Sequence, residues 1–285
     1  METNALDDGR TAIPILLYHA VTDNPGSHIA PFAVTPENFA RQLDVVLDSG
    51  FRCITFSRLV DELRSPASHS GPATEAGPDL RRTAVITFDD GFADFYENAA
   101  PALEERSLKS TMYVTTGWLE GRASREPGPT DRMLDWSQLP ELEARGVEIG
   151  AHSHSHPQLD TLRSAALRDE MVRPKELLEN ALGHQVRSVA YPHGYNGPRV
   201  QRAARRAGYD SAAAVRNRLR PQGEDVFRIS RLTVLSTTTP DELSAWLEPP
   251  VAGSAPLRES LRTTAGRAYR RSLALLQGQP GTVYA

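Results

Sequence analysis

Thr83-Ala84-Val85-Ile86-Thr87-Phe88-Asp89-Asp90-Gly91 is an apolar run that ends in two adjacent carboxylates and a glycine. The β-branched and aromatic residues of Thr83–Phe88 predict a strand, and Asp-Asp-Gly predicts a turn immediately after it. Val147-Glu148-Ile149-Gly150 leads in the same way into His152-Ser153-His154-Ser155-His156. Two strands that each deliver polar side chains beyond their C-terminal ends are the pattern of an α/β protein whose active site lies along one edge of a parallel sheet.

Strand and helix signals alternate around these two runs. Ile13–Leu17 reads as a first strand ending at Tyr18-His19, and a polar loop follows at Asp23–Ser27. Thr35-Pro36-Glu37-Asn38 opens a helix with threonine at the cap and proline at its first position, and Phe39, Leu43, Val46 and Leu47 supply its apolar face. Phe51–Phe56 predicts a strand, and Ser65–Asp79, rich in proline and glycine, predicts a loop. Further on, helices are predicted over Asp94–Glu105, Ser137–Arg145, Thr161–Leu182 with an interruption at Pro174, and Pro198–Ala207. Another starts at Thr239-Pro240. Strands are predicted over Thr111–Thr115, Val147–Ala151, Val186–Ala190, Ala212–Val215 and Ile229–Val234. About seven βα units without a glycine-rich phosphate fingerprint predict a single-domain, distorted (β/α)7-type barrel. The barrel is expected over residues 13–250, with an N-terminal tail at 1–12 and a basic tail at 251–285 that has helical signal over Leu257–Gln277.

The composition fits this reading. The chain has 285 residues, 39% apolar and 24% charged, and a formal net charge of -4, which argues against nucleic acid or an anionic membrane as the main partner. No apolar run is long enough to span a bilayer. The first ten residues carry Glu2, Asp7 and Asp8 and no basic stretch ahead of an apolar core, so a native start at Met1 predicts a cytoplasmic protein. Cys53 is the sole cysteine, which excludes an internal disulfide and a thiolate metal cluster.

Taken alone, Asp89-Asp90-Gly91 is equally readable as an ordinary turn. Its other reading is that neighbouring carboxylates at a strand end point apart, one toward a metal and one free to accept a proton. His152 and His156, four apart after a strand, can converge on one metal, with His154 as the bystander. One carboxylate, two imidazoles and a spare carboxylate make an open metal site with a base beside it.

These motifs resemble those of the polysaccharide deacetylase superfamily, the carbohydrate esterases related to chitooligosaccharide deacetylases. That family carries T-F-D-D-G followed by H-[ST]-x-x-H, and both patterns match in full here. The resemblance implies Asp89 as general base and Asp90, His152 and His156 as metal ligands. The family's third motif, R-x-P-x-G, corresponds to Ala190-Tyr191-Pro192-His193-Gly194, which lacks the arginine that orients the base. Arg231 and Arg228 are the candidate replacements. The resemblance places the backbone N–H of His193 at the oxyanion, with Tyr191 and Pro192 beside the substrate. No histidine follows His193, so the family's C-terminal L-x-H motif is missing there, yet Leu17-Tyr18-His19 is L-x-H at the first strand's end. In a closed barrel the first and last strands are neighbours. The chain therefore looks like the circularly permuted subset that includes poly-N-acetylglucosamine deacetylases, with His19 as general acid. The family's aspartate–tryptophan motif is not visible, with Asp210 after Tyr209 a candidate for it, and Trp118, Trp136, Tyr191 and Tyr195 are candidates to flank a sugar.

The implied function is metal-dependent hydrolysis of an N-acyl group, acetyl by resemblance, from an amino sugar, oligosaccharide or polysaccharide. Zinc is the default for an Asp/His/His set, and cobalt, nickel or iron fit the same donors. Two alternatives stay open: a deacylase of a small cytoplasmic N-acylated metabolite or lipid-linked sugar, and an inactive barrel that binds glycan.

Overall fold

The computed structural model describes residues 13–65, 80–121, 129, 131–220 and 223–248. In chain order its elements are β1 (Ile15–Tyr18), β2 (Ala20–Val21), β3 (Ala33–Val34), α1 (Pro36–Asp48), β4 (Arg52–Cys53), α2 (Phe56–Arg64), β5 (Thr83–Phe88), α3 (Ala100–Glu105), β6 (Ser110–Val114), α4 (Gln138–Ala144), β7 (Val147–Ala151), α5 (Ser164–Leu182), β8 (Ser188–Ala190), α6 (Pro198–Arg206), β9 (Ser211–Ala213), β10 (Leu232–Thr233) and α7 (Pro240–Leu247). The main sheet is parallel, in the order β10-β1-β5-β6-β7-β8-β9, with β4 paired to the start of β5. A parallel bridge between Ala213 and Ile229 turns β9 back toward β10, so the sheet curls into a distorted (β/α)7 barrel. The first and last strands are neighbours, with Leu16 opposite Leu232.

The two-residue period of a strand explains why the chemistry collects inside. Ala84, Ile86 and Phe88 of β5 pack outward among the helices, whereas Val85 faces the barrel interior. Continuing that alternation aims Thr87 and then Asp89 inward. In β7 the outward set is Val147, Ile149 and Ala151, which leaves Glu148, Gly150 and His152 for the interior. In β1, Leu16 and Tyr18 face out while Ile15 faces in, which directs Leu17 and His19 inward. Three strands thus bring His19, Asp89 and His152 to one layer at their C-terminal ends.

Local chemistry sets the helix starts. The Thr35 side chain accepts a hydrogen bond from the Asn38 N–H at 3.2 Å, and Pro36 takes the first helical position of α1. Thr239 and Glu242 form a reciprocal capping box at the start of α7.

Three expectations need correction. Phe51–Phe56 forms only the two-residue strand β4. Thr55 then caps α2 by accepting from the Arg58 N–H at 3.3 Å, so a capped helix begins where a strand was expected. Helix α5 runs unbroken through Pro174, because proline forgoes only its own bond to the Glu170 carbonyl and its ring is buried on the same face as Met171 and Leu178. The segment expected as one helix over Asp94–Glu105 is instead a π-turn at Phe95–Ala99 followed by the short helix α3, whose second residue is Pro101. The loop expected over Ser65–Asp79 and both tails lie almost wholly outside the described residues. No described helix is long and apolar enough to cross a membrane.

Candidate active site

Asp89, Asp90, His19, His152, His156 and His193 line one cavity of about 300 Å³ at the C-terminal ends of β1, β5, β7 and β8. His152 donates from Nδ1 to the Ala190 carbonyl at 3.0 Å. That bond fixes the tautomer and leaves the Nε2 lone pair facing the carboxylates. From there Nε2 lies 3.4 Å from Asp90 Oδ1 and 3.8 Å from Asp89 Oδ2, while His156 Nε2 lies 3.3 Å from the same Asp90 oxygen.

These residues fit a divalent metal. One donor atom each from Asp90, His152 and His156 falls within 4.8 Å of the others, and spacings of 3.3 and 3.4 Å suit donors sharing one tetrahedral ion. Asp90 Oδ1 is buried and accepts no hydrogen bond. Burial and the neighbouring Asp89 charge push the Asp90 carboxyl well above its usual range. Burial and the nearby His152, His193 and His19 hold His156 far below its own, so it stays neutral with a lone pair to give. A cation would offset both costs.

Asp89 has a different partner. Arg231, fully buried, grips it with two parallel bonds, Nη1 to Oδ1 and Nη2 to Oδ2, each 2.7 Å. The same guanidinium donates to Thr87 Oγ1 at 3.2 Å and to the Ala214 carbonyl at 3.2 Å. Burial alone would raise the Asp89 carboxyl, but the Arg231 charge and its hydrogen bonds outweigh it and keep the group ionised. Of the two arginines expected near the base, Arg231 reaches it. Arg228 sits in the preceding turn, its backbone N–H on the Asp225 carbonyl at 2.9 Å, and makes no bond to Asp89.

Backbone strain concentrates here. Among the described residues six non-glycines have positive φ, and four of them are Asp90 (77°), Ser153 (62°), His156 (59°) and His193 (58°). Each such residue costs on the order of 1–3 kcal/mol and persists only where its surroundings impose it. The Thr115 N–H holds the Asp90 carbonyl at 3.0 Å, and Ser153 Oγ accepts from the His156 N–H at 3.0 Å. Glu170 of α5 accepts from the His154 and Ser155 N–H groups at 2.8 and 2.9 Å and from Ser155 Oγ at 2.5 Å. Replacing Glu170 by alanine leaves those donors unmatched and is expected to cost about 2 kcal/mol and to weaken metal binding roughly 10- to 100-fold. Thermal melting and metal titration measure both; unaltered metal affinity would show that the loop holds its shape without Glu170.

The other expected residues scatter. Tyr191 is fully buried with its hydroxyl donating to the Phe227 carbonyl at 3.0 Å, and neither it nor Pro192 lines the cavity. His154 contacts Thr116 Oγ1 at 2.9 Å, beside the site. Trp118 is buried behind His156, ring centroids 4.9 Å apart, and Tyr195 lies 5.6 Å from the His193 ring. Asp210 pairs with Arg187 at 2.8 Å just ahead of β9, at the opposite end of the barrel. His28, Ile29 and Phe32, from the β2–β3 connection, form a cavity wall that the sequence did not announce. That connection is anchored by Asp131, which accepts from the Gly26 N–H at 2.9 Å and lies 3.6 Å from His28. No local pattern signals a contact between segments so far apart in the chain.

Residues 76–212 match the family model for polysaccharide deacetylase. That stretch carries a polysaccharide deacetylase domain. YxkH of Bacillus subtilis is similar to it at 22% identity over 83% of this chain and 76% of its own. The poly-β-1,6-N-acetyl-D-glucosamine N-deacetylase of Staphylococcus epidermidis is 23% identical over 60% of this chain and 61% of that protein, so the chain spans about three fifths of that relative's length. Among solved structures, the Streptococcus pyogenes deacetylase PplD in complex with acetate superposes with a TM-score of 0.69 at 26% identity, covering 84% of this chain and 99% of that one. IcaB from Ammonifex degensii has the same fold, with a TM-score of 0.65 at 24% identity over 83% of this chain and 97% of its own. The domain is a hydrolase of the class that cleaves carbon–nitrogen bonds other than peptide bonds.

Proposed function

We propose that the deacetylase domain removes the N-acetyl group of an amino sugar within an oligosaccharide or polysaccharide. The observation that carries this reading is an ionised, arginine-clamped carboxylate, Asp89, standing beside the Asp90, His152 and His156 cluster. The relatives whose names state a substrate act on N-acetylated glycans, which supports the substrate class.

Asp90, His152 and His156 would hold a divalent ion, zinc by the chemistry of the donor set, which supplies Lewis-acid polarisation of the acyl oxygen and a more acidic water. Asp89 takes the proton of the attacking water, and Arg231 keeps the carboxylate charged and aimed while it does so. His193, in a strained turn at the cavity wall, offers its backbone N–H to the developing oxyanion. His19 serves the leaving amine. Burial pushes its imidazole down to about 4, with Asp89 pulling it up and Arg231 and His152 opposing that pull. It is therefore neutral in the free site and gains its proton during turnover before handing it to nitrogen. His19 Nδ1 is buried with no hydrogen-bond partner, which leaves that atom uncommitted.

The test is acetate release from N-acetylglucosamine and its oligomers, from N-acylated small metabolites and from lipid-linked sugars. Metal-stripped protein is to be compared with protein reloaded with zinc, cobalt, nickel or iron. Chelation is expected to abolish release and reloading to restore it, with oligomers preferred. A chain that binds metal and glycan yet releases acetate from nothing in the panel would be a glycan-binding barrel.

A further inference from the structure

A second concavity, of about 490 Å³, lies between α5 and α6. Ser164, Leu167, Arg168 and Val172 of α5 share one helical face, and Arg199, Arg202, Ala203 and Arg206 of α6 share the facing one. Among the described residues the groove is thus lined by four arginines and by no carboxylate. Several other arginines are matched with acids: Arg187 with Asp61 and Asp210, Arg205 with Asp225, Arg106 with Asp44, Arg145 with Glu104. Within the groove, Arg199 donates to the Leu162 carbonyl, and none of the four has an acidic partner among the described residues.

Concentrating like charges over the apolar floor of Leu167, Val172 and Ala203 is unfavourable unless an anion joins them, and that floor strengthens the attraction to one. Guanidinium forks suit the oxygens of carboxylate and phosphate. The groove also begins where catalysis ends. Helix α5 follows the loop of His152 and His156, and α6 follows the turn of His193, so the first turns of both helices open onto the catalytic face.

We infer that the groove between α5 and α6 binds carboxylate or phosphate groups carried on an acidic glycan, whose amino sugar the neighbouring cavity deacetylates. This rests on the deacetylase reading of that cavity. The occupant is a soluble anionic polysaccharide, because the site is a row of cations along a helix beside a sugar-processing pocket.

Binding of oligogalacturonate, a neutral oligoglucan and inorganic triphosphate to the full chain, measured by calorimetry, tests the inference beside the Arg202→Gln/Arg206→Gln variant. Both replaced side chains are exposed on the helix surface, and an unchanged melting temperature checks the fold. The expected result is oligogalacturonate binding that weakens with salt and drops about tenfold or more in the variant. The neutral glucan should not bind, and turnover of an N-acetylglucosamine trimer should be unchanged. No oligogalacturonate binding, equal binding by the variant, or binding of triphosphate alone would overturn the assignment. Because binding is read without turnover, an inactive chain that binds sinks the deacetylase reading. An active chain that fails to bind sinks the groove alone.

Discussion

Asp89→Asn is expected to lower acetate release by roughly 10²- to 10⁴-fold while leaving metal content unchanged. Asparagine keeps the shape of the side chain and one acceptor for Arg231, but it cannot take a proton from water. The ligand atoms of Asp90, His152 and His156 belong to other side chains, so the ion should still bind at full stoichiometry. Some stability should also be lost, because the buried Arg231 guanidinium would face a neutral amide in place of two carboxylate oxygens at 2.7 Å. Acetate release, metal analysis and thermal melting on one preparation separate these effects. Near-normal turnover would move the base elsewhere; loss of metal along with activity would make Asp89 a ligand.

Arg231→Met should be the more damaging substitution for the fold. Removing one partner of a buried pair typically costs about 3–5 kcal/mol, because the other charge is left in the core without compensation. For a chain of this size that corresponds to a fall in melting temperature of roughly 10 °C. The pH dependence follows the same logic. Asp89 has a folded pKa below its unfolded value, so the pair stabilises the protein above the ordinary carboxylate range, and that contribution is lost as pH falls through the depressed folded value. In the variant, burial is no longer opposed by the guanidinium. The Asp89 carboxyl should then rise, and the acid limb of the rate profile should move to higher pH. Arg231→Lys keeps a charge but not the fork, and should fall between wild type and Met in both measurements. A stability and pH profile equal to wild type would mean that the clamp contributes nothing.

The sequence was most legible where one strand's rule sufficed. Thr83–Phe88 and Val147–Ala151 are strands with the expected bounds, since both are largely apolar runs closed by polar turns. The same alternation brings Asp89 and His152 into one layer, so their meeting was implicit in the pattern. Phe51–Phe56 misled because its apolar residues serve two elements, a short strand and the first turn of a helix capped by Thr55. Arg231 could not be separated from Arg228 by sequence, since the choice depends on how β9 meets the segment before β10. Tyr191 was expected beside substrate by motif position, yet the strand period sends its ring outward, where its hydroxyl meets the Phe227 carbonyl.

Arg231 lies between Ile229, which bridges to β9, and Leu232, which pairs with β1. The residue that clamps Asp89 is thus also part of the joint that seals the barrel, and it reaches that aspartate 142 positions earlier in the chain. During synthesis Asp90, His152 and His156, the candidate ligands, all leave the ribosome before this arginine does. An ion could therefore be captured by an incomplete chain, but the aligned base exists only once the last staves have met. Hydrolysis with Asp89 as base would thus wait on the completion of folding.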